Sequence, residues 1–395
     1  MPILPLLLVL ASLPSGRGPL LARAQKGEVR AEVQLALSLQ DPVQGPVDLK
    51  ASEHWLRVAA ATGDSEGEFY LGRLLHLVPH AHHDGVEARL WYQKAAAQGN
   101  KWALNNLGLL AEDSDDRLER AKAIDYFRQA AEAGELHGEQ NMARCCHEGD
   151  WVQQDDAQAR IWYAKAAAQG DGESEAELGS MYWEGEGGPK DFAQARVHLE
   201  QAAALKNAWG TVNLGTLNEL GIGQPVNPVA AAHLYEEAIR LGNARALDRL
   251  GSLYARGVGV PQDPVRAREL FLEAIQKGVL HAWSSLGVLH MDGAGVPKSD
   301  SEAVRYFFMG AYLGEPQCEN NVGAFYHHGR GGLNRDLVNA YAWFKIADAA
   351  GDPTAKGNLA SVDREISMLQ RVRGDLLIPD IQADIRRRRS LARLD

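Results

Sequence analysis

One feature decides most of what this chain can fold into: a glycine in a helix-ending context returns about every three dozen residues. It stands at Gly27, Gly63, Gly99, Gly134, Gly170, Gly242, Gly278, Gly314 and Gly351, in steps of 35 to 37 residues apart from one double step of 72. Lys206-Asn207 fills the midpoint of the double step. A period of this length marks stacked supersecondary units. The 395 residues, which by length alone imply two or three globular domains, therefore read as one array.

Other positions keep the same time. Four residues after each glycine, or after Lys206, comes something small, as in Gly67, Ala103, Gly138, Gly210, Ala282 and Cys318. Eight after it comes an apolar residue that is usually followed by glycine: Leu71-Gly72, Leu107-Gly108, Leu178-Gly179, Leu214-Gly215, Leu250-Gly251, Leu286-Gly287 and Val322-Gly323. A glycine-rich turn follows, then an aspartate (Asp84, Asp155, Asp191, Asp263, Asp336), then a second stripe such as Ala159, Trp162-Tyr163, Ala166-Ala167. Small residues let a neighbouring helix approach closely. The stripe repeats at i, i+3, i+4 and i+7 and forms one apolar helix face. Aspartate caps the second helix and favours its positive end, and glycine closes its last turn in the left-handed conformation. Each unit is a helix–turn–helix that cannot bury its apolar face alone. Two units depart from the pattern: Met142-Ala143 replaces the Leu-Gly pair, and His198-Leu199 stands where aromatics usually stand.

These residues resemble the Sel-one-like repeat family, a relative of the tetratricopeptide repeat, most closely over Gly63–Gly99 and Gly242–Gly278 and in all over about residues 27–372. The resemblance implies an all-α, right-handed superhelical solenoid of repeats of about 36 residues. It implies a non-enzymatic scaffold for a protein or peptide partner, although the resemblance is specific for fold and not for function. Some bacterial members resemble cell-wall or exopolysaccharide factors, which makes a cell-wall glycan the alternative ligand. Cysteine-rich members that bind or slowly hydrolyse β-lactams carry a disulfide in each repeat. This chain has only Cys145, Cys146 and Cys318, so that activity is not carried over.

The organisation expected is a signal peptide over 1–24, an atypical N-terminal capping repeat over 25–62, the repeat array over 63–350, and C-terminal capping helices with a basic tail over 351–395. Pro5–Ala11 is an apolar run too short to span a bilayer, and Ala22-Arg23-Ala24 offers a signal-peptidase site. No later segment is apolar for ~18 residues. The expectation is a periplasmic or secreted protein, cytoplasmic if the N-terminus stays uncut. The first helix of the last unit should run on into Met368-Leu369-Gln370, with a further polar helix over Ile378–Asp395.

Chemistry has little raw material. No Ser-x-x-Lys, Gly-x-Ser-x-Gly, phosphate loop or zinc-ligand spacing is present, so no cofactor and no metal site is expected. The loop His76, His80, His82, His83, Asp84 has suitable transition-metal ligands but reads as an ordinary inter-helix loop. Glu112 and Asp113 are the one carboxylate pair an enzyme could use. The net charge of −11 excludes a general nucleic-acid binder, and Arg386–Arg389 reads as a solvated helix face.

In tetratricopeptide-like solenoids the first helix of each unit lines the concave face. Positions six and three before the Leu-Gly glycine, and one, four and five after it, then point outward. The binding residues expected on this basis are Phe69, Trp102, Asn105, Glu112, Arg144, Trp183, Trp209, Glu219, Arg245 and Asp248. Exposed tryptophans are strong interface anchors. Charges at these positions are mostly acidic, which implies a basic partner.

Overall fold

A computed structural model describes residues 17–77, 85–294 and 296–392, and those residues contain α-helices, turns and one short 3-10 helix, with no strand among them. They fall into two compact units, one within Met1–Ser174 and Glu184–Lys190, the other within Glu175–Trp183 and Asp191–Asp395. Within each unit antiparallel helix pairs stack in chain order. Ser65–Leu77 pairs with Gly85–Ala97 and Lys101–Glu112 with Ala123–Glu132 in the first unit. Ala208–Leu220 pairs with Pro228–Arg240, Arg245–Arg256 with Pro264–Gln276, and His281–Asp292 with Asp300–Ala311 in the second.

The two classes of small residue serve two different contacts. The Leu-Gly glycine receives the large side chain of its own second helix. A methyl group at Gly108 would lie 2.4 Å from Phe127 Cε1, at Gly251 2.7 Å from Phe271 Cε1, and at Gly287 2.4 Å from Phe307 Cε1. The earlier small residue packs on the preceding unit: a methyl at Gly138 would lie 2.6 Å from Ala130 Cβ, and at Gly210 2.5 Å from Ala202 Cβ. One glycine therefore locks a hairpin and the other locks the stack, and between them they bury the face that no hairpin can hide alone.

The ends of the helices follow the sequence. Asp155 accepts from Gln158 N at 3.0 Å and Asp263 from Arg266 N at 2.9 Å; Asp84 lies outside the described residues. At the missing beat, Lys206 takes the glycine's place with φ +59°, a left-handed conformation that costs an L-residue roughly 1–2 kcal/mol. Asn141 Nδ2 donates to Asn105 Oδ1 at 2.9 Å, and Asn358 Nδ2 to Asn320 Oδ1 at 2.9 Å, so buried amides also pin successive first helices in register. Cys145, Cys146 and Cys318 are buried thiols outside any disulfide, and burial pushes Cys145 up to about 11.

The C-terminus differs in detail from expectation, and part of the N-terminal segment is described. Of the segment read as a leader, residues 1–16 lie outside the described residues, while Arg17–Ala24 is a helix. Its buried Arg17 donates to Pro46 O at 2.9 Å and to Ser38 O, and Leu20 and Leu21 pack on the first core cluster. At the other end the final first helix stops at Val362, and a single helix Met368–Ala392 replaces the separate polar helix expected from Ile378. Ser367 and Gln370 form a reciprocal capping box that starts it. It is not wholly polar: Ile378, Ile381 and Ile385 pack on the last core. Of its basic run, Arg388 sits over the Tyr312 ring at 4.2 Å.

Candidate functional site

The first helices fix where each expected binding residue goes, and they divide the set. Position six before the Leu-Gly glycine points out: Trp102 is 48% exposed, Arg245 is exposed and Trp209 half-buried. Position three before it points in. Phe69 is 7% exposed, Asn105 6% and Asp248 5%, so these three do not lie on an open face as expected. The reason is the stack itself, because that position faces the first helix of the next unit. Phe69 lies beside Trp102 with ring centroids 6.1 Å apart, Asn105 accepts from Asn141, and the Asp248 carboxylate lies 2.8 Å from His281 Nδ1.

Positions after the glycine are used between units. Arg144 donates to Glu112 at 2.8 Å. Glu219 accepts from Arg256 at 2.6 Å and from the Tyr235 hydroxyl at 2.8 Å. Trp183 packs against the cluster of Leu199, Leu214 and Leu217. Glu112, Glu219 and Asp248, among the acidic residues that implied a basic partner, are thus paired within the protein. Partly exposed ion pairs of this kind contribute modestly to stability.

What the structure does bring together is in the second unit. Trp209, Arg245 and Asp248 line one groove of about 980 Å³ with Arg249, Lys277 and His281. His281 sits at its edge with Nδ1 on Asp248 and Nε2 2.9 Å from Gln317 Oε1. The hydrogen bond to Asp248 raises the imidazole above its ordinary value, as two acceptors on one ring favour the imidazolium. Beyond His281 a second pocket of about 290 Å³ runs between Arg245–Arg256 and His281–Asp292, lined by Ser252, Phe271, Ser285 and Val288 among others.

His281, Arg249 and Lys277 were not among the residues expected from sequence. His281 carried a legible signal, since it lies six before Gly287, in the register of Trp209, Arg245 and Gln317. Arg249 and Lys277 had none, because they reach the groove from positions that the pattern treats as lateral or helix-ending.

Among the described residues no group of three or more His, Cys, Asp or Glu is placed to hold a metal ion. His76 is described but His80, His82, His83 and Asp84 are outside. No helix among the described residues is long and apolar enough to cross a membrane.

No curated protein was found to match the chain. Among solved structures, the chain is similar to a Sel1 repeat protein from Oxalobacter formigenes, at 24% identity and a TM-score of 0.55 over 61% of this chain and 96% of that one. It is also similar to a protective antigen of uropathogenic Escherichia coli strains with an SLR fold, at 24% identity and a TM-score of 0.41 over 94% of this chain and 95% of that one. The model of the Sel1 repeat matches residues 65–100, 103–135, 137–171, 172–207, 211–243, 244–279, 284–315 and 316–352. These ranges follow the helix hairpins described above, and the chain belongs to the Sel1 repeat family.

Proposed function

We propose that this protein is a non-catalytic scaffold of the bacterial cell envelope, which holds a protein or peptide on the outward row of its first helices. The observation that carries the reading is the row itself. Every residue six before the Leu-Gly glycine in the second unit's later repeats, Arg245, His281 and Gln317, is exposed, and Trp209 in the same register lines the groove beside them. A tryptophan half-sunk in a cleft loses little entropy on binding and offers a large apolar contact, as interface hot spots require. Trp102 holds the same register in the first unit. Within each unit the stacked hairpins supply such a row pre-organised, and pre-organisation lowers the cost of binding. The envelope assignment rests on the apolar N-terminal run and its Ala-x-Ala site.

The test replaces Trp102 and Trp209 together by alanine and measures capture of partners from an envelope fraction, with far-ultraviolet circular dichroism as the fold control. The expected result is loss of the partner with the helical signal intact. Full retention in the double variant removes the first-helix face from the account.

A further inference from the structure

Resting on that reading, we infer that the groove at Trp209 takes an acidic peptide segment. The charge on its walls is the argument. Arg245, Arg249 and Lys277 all line it, and none of the three is in an ion pair among the described residues. The single carboxylate in the lining, Asp248, is buried and held by His281. Nearby Glu315 accepts from Cys318 N at 2.5 Å within its own helix, and its charge also acts on His281.

Three cations outside any ion pair among the described residues thus line one cleft of a chain whose net charge is −11. Elsewhere on this face Arg144 is paired with Glu112 and Arg256 with Glu219. The backbone adds to the field. Asn207 caps its first helix through Gly210 N at 2.8 Å, but Val279 fills the equivalent slot before His281–Asp292, and no side chain caps that helix. Its positive end is left open at the groove's edge.

A cleft of about 980 Å³ is at the upper end of the range for ligand sites and holds several residues of extended chain. The indole of Trp209 supplies the apolar wall, while Arg245 and Arg249 present planar guanidinium groups suited to carboxylates. Aspartate or glutamate side chains of a partner would meet these groups, with an adjacent apolar side chain against Trp209. The long-range attraction is screened within about 8 Å at physiological salt, so binding must weaken as ionic strength rises.

The experiment uses the full chain and three fluorescein-labelled peptide pools of about ten residues each, random in sequence but fixed as acidic, neutral or basic. Fluorescence anisotropy is read at low and physiological salt. The acidic pool should bind about tenfold tighter than the neutral one and weaken with salt. Arg245→Glu with Arg249→Glu should remove that preference, while Arg245→Gln with Arg249→Gln should reduce it. Arg266→Glu with Arg305→Glu, on exposed second-helix positions, should leave it unchanged. Preference for the basic pool, or undiminished acidic binding in the Arg245→Glu, Arg249→Glu variant, overturns the inference. Equal binding of all pools that is lost in Trp209→Ala also overturns it, while leaving the first-helix face standing.

Discussion

Gly287→Ala should destabilise the repeat that contains it by about 2 kcal/mol, although alanine is the better helix former by about 1 kcal/mol. The added methyl would lie 2.4 Å from Cε1 of Phe307, a fully buried ring with no direction in which to retreat. Overpacking of this kind costs typically 1–3 kcal/mol, and here the near atom belongs to a rigid ring. Phe307→Leu should relieve the clash, so the double variant should be more stable than Gly287→Ala alone. That non-additivity identifies the contact. Gly357→Ala is the control, because a methyl there meets nothing within 4 Å, and it should be neutral or slightly stabilising. Because stability in a repeat array is held mostly between neighbours, hydrogen exchange over 281–311 is the measurement. Unchanged protection in Gly287→Ala would show that the Leu-Gly glycine is not the lock.

Glu319→Gln should raise stability at pH 8 by on the order of 3–5 kcal/mol and flatten its pH dependence. Glu319 is 2% exposed, and burial, followed by the charge of Glu315, pushes its carboxyl from 4.5 to about 8. The folded value lies above the unfolded one, so between them the native chain keeps a proton that the unfolded chain has lost. Stability therefore falls as pH rises from about 4.5 and levels off above about 8. The same helix position carries glutamate in other repeats with a donor supplied. Gln98 donates to Glu68 at 2.7 Å and Gln169 to Glu139 at 2.8 Å, each from the residue just before the helix-ending glycine. In the repeat of Glu319 that residue is the exposed Ala350. Ala350→Gln should restore the donor, lower the Glu319 carboxyl and recover part of the stability lost at pH 8. Thermal unfolding of the three proteins between pH 4 and pH 9 reads all of this. Parallel curves would mean that Glu319 is not the buried acid.

What was legible in the sequence was local. Hairpins, aspartate caps, glycine-ended helices and the slots for small residues all follow from contacts inside one hairpin or between adjacent ones, and each leaves its own periodic residue. The outward face was legible only in part. Position three before the Leu-Gly glycine was read as open from the register of tetratricopeptide-like first helices. Several of its other occupants, Phe69, Ala176, Val212 and Ser284, are small or apolar, and these four are buried. Judged by that company the position is an inter-helix seam, where Asn105 and Asp248 find partners on the next unit. The groove was legible only in Trp209, Arg245 and Asp248, since Arg249 and Lys277 join them only through the stacking of successive repeats. The C-terminal helix was misplaced for a similar reason: Pro379 and the arginines look like an exposed tail until Ile378, Ile381 and Ile385 meet the last core.

The central claim is that the first helices, and not the second, hold the partner. A photo-crosslinking amino acid placed in turn at Trp209, Arg245 and Gln317 on first helices, and at His233, Glu269 and Arg305 on second helices, tests it in the intact chain. One and the same partner should be captured from the first three positions and not from the others. Capture of that partner from the second-helix positions instead would contradict the account.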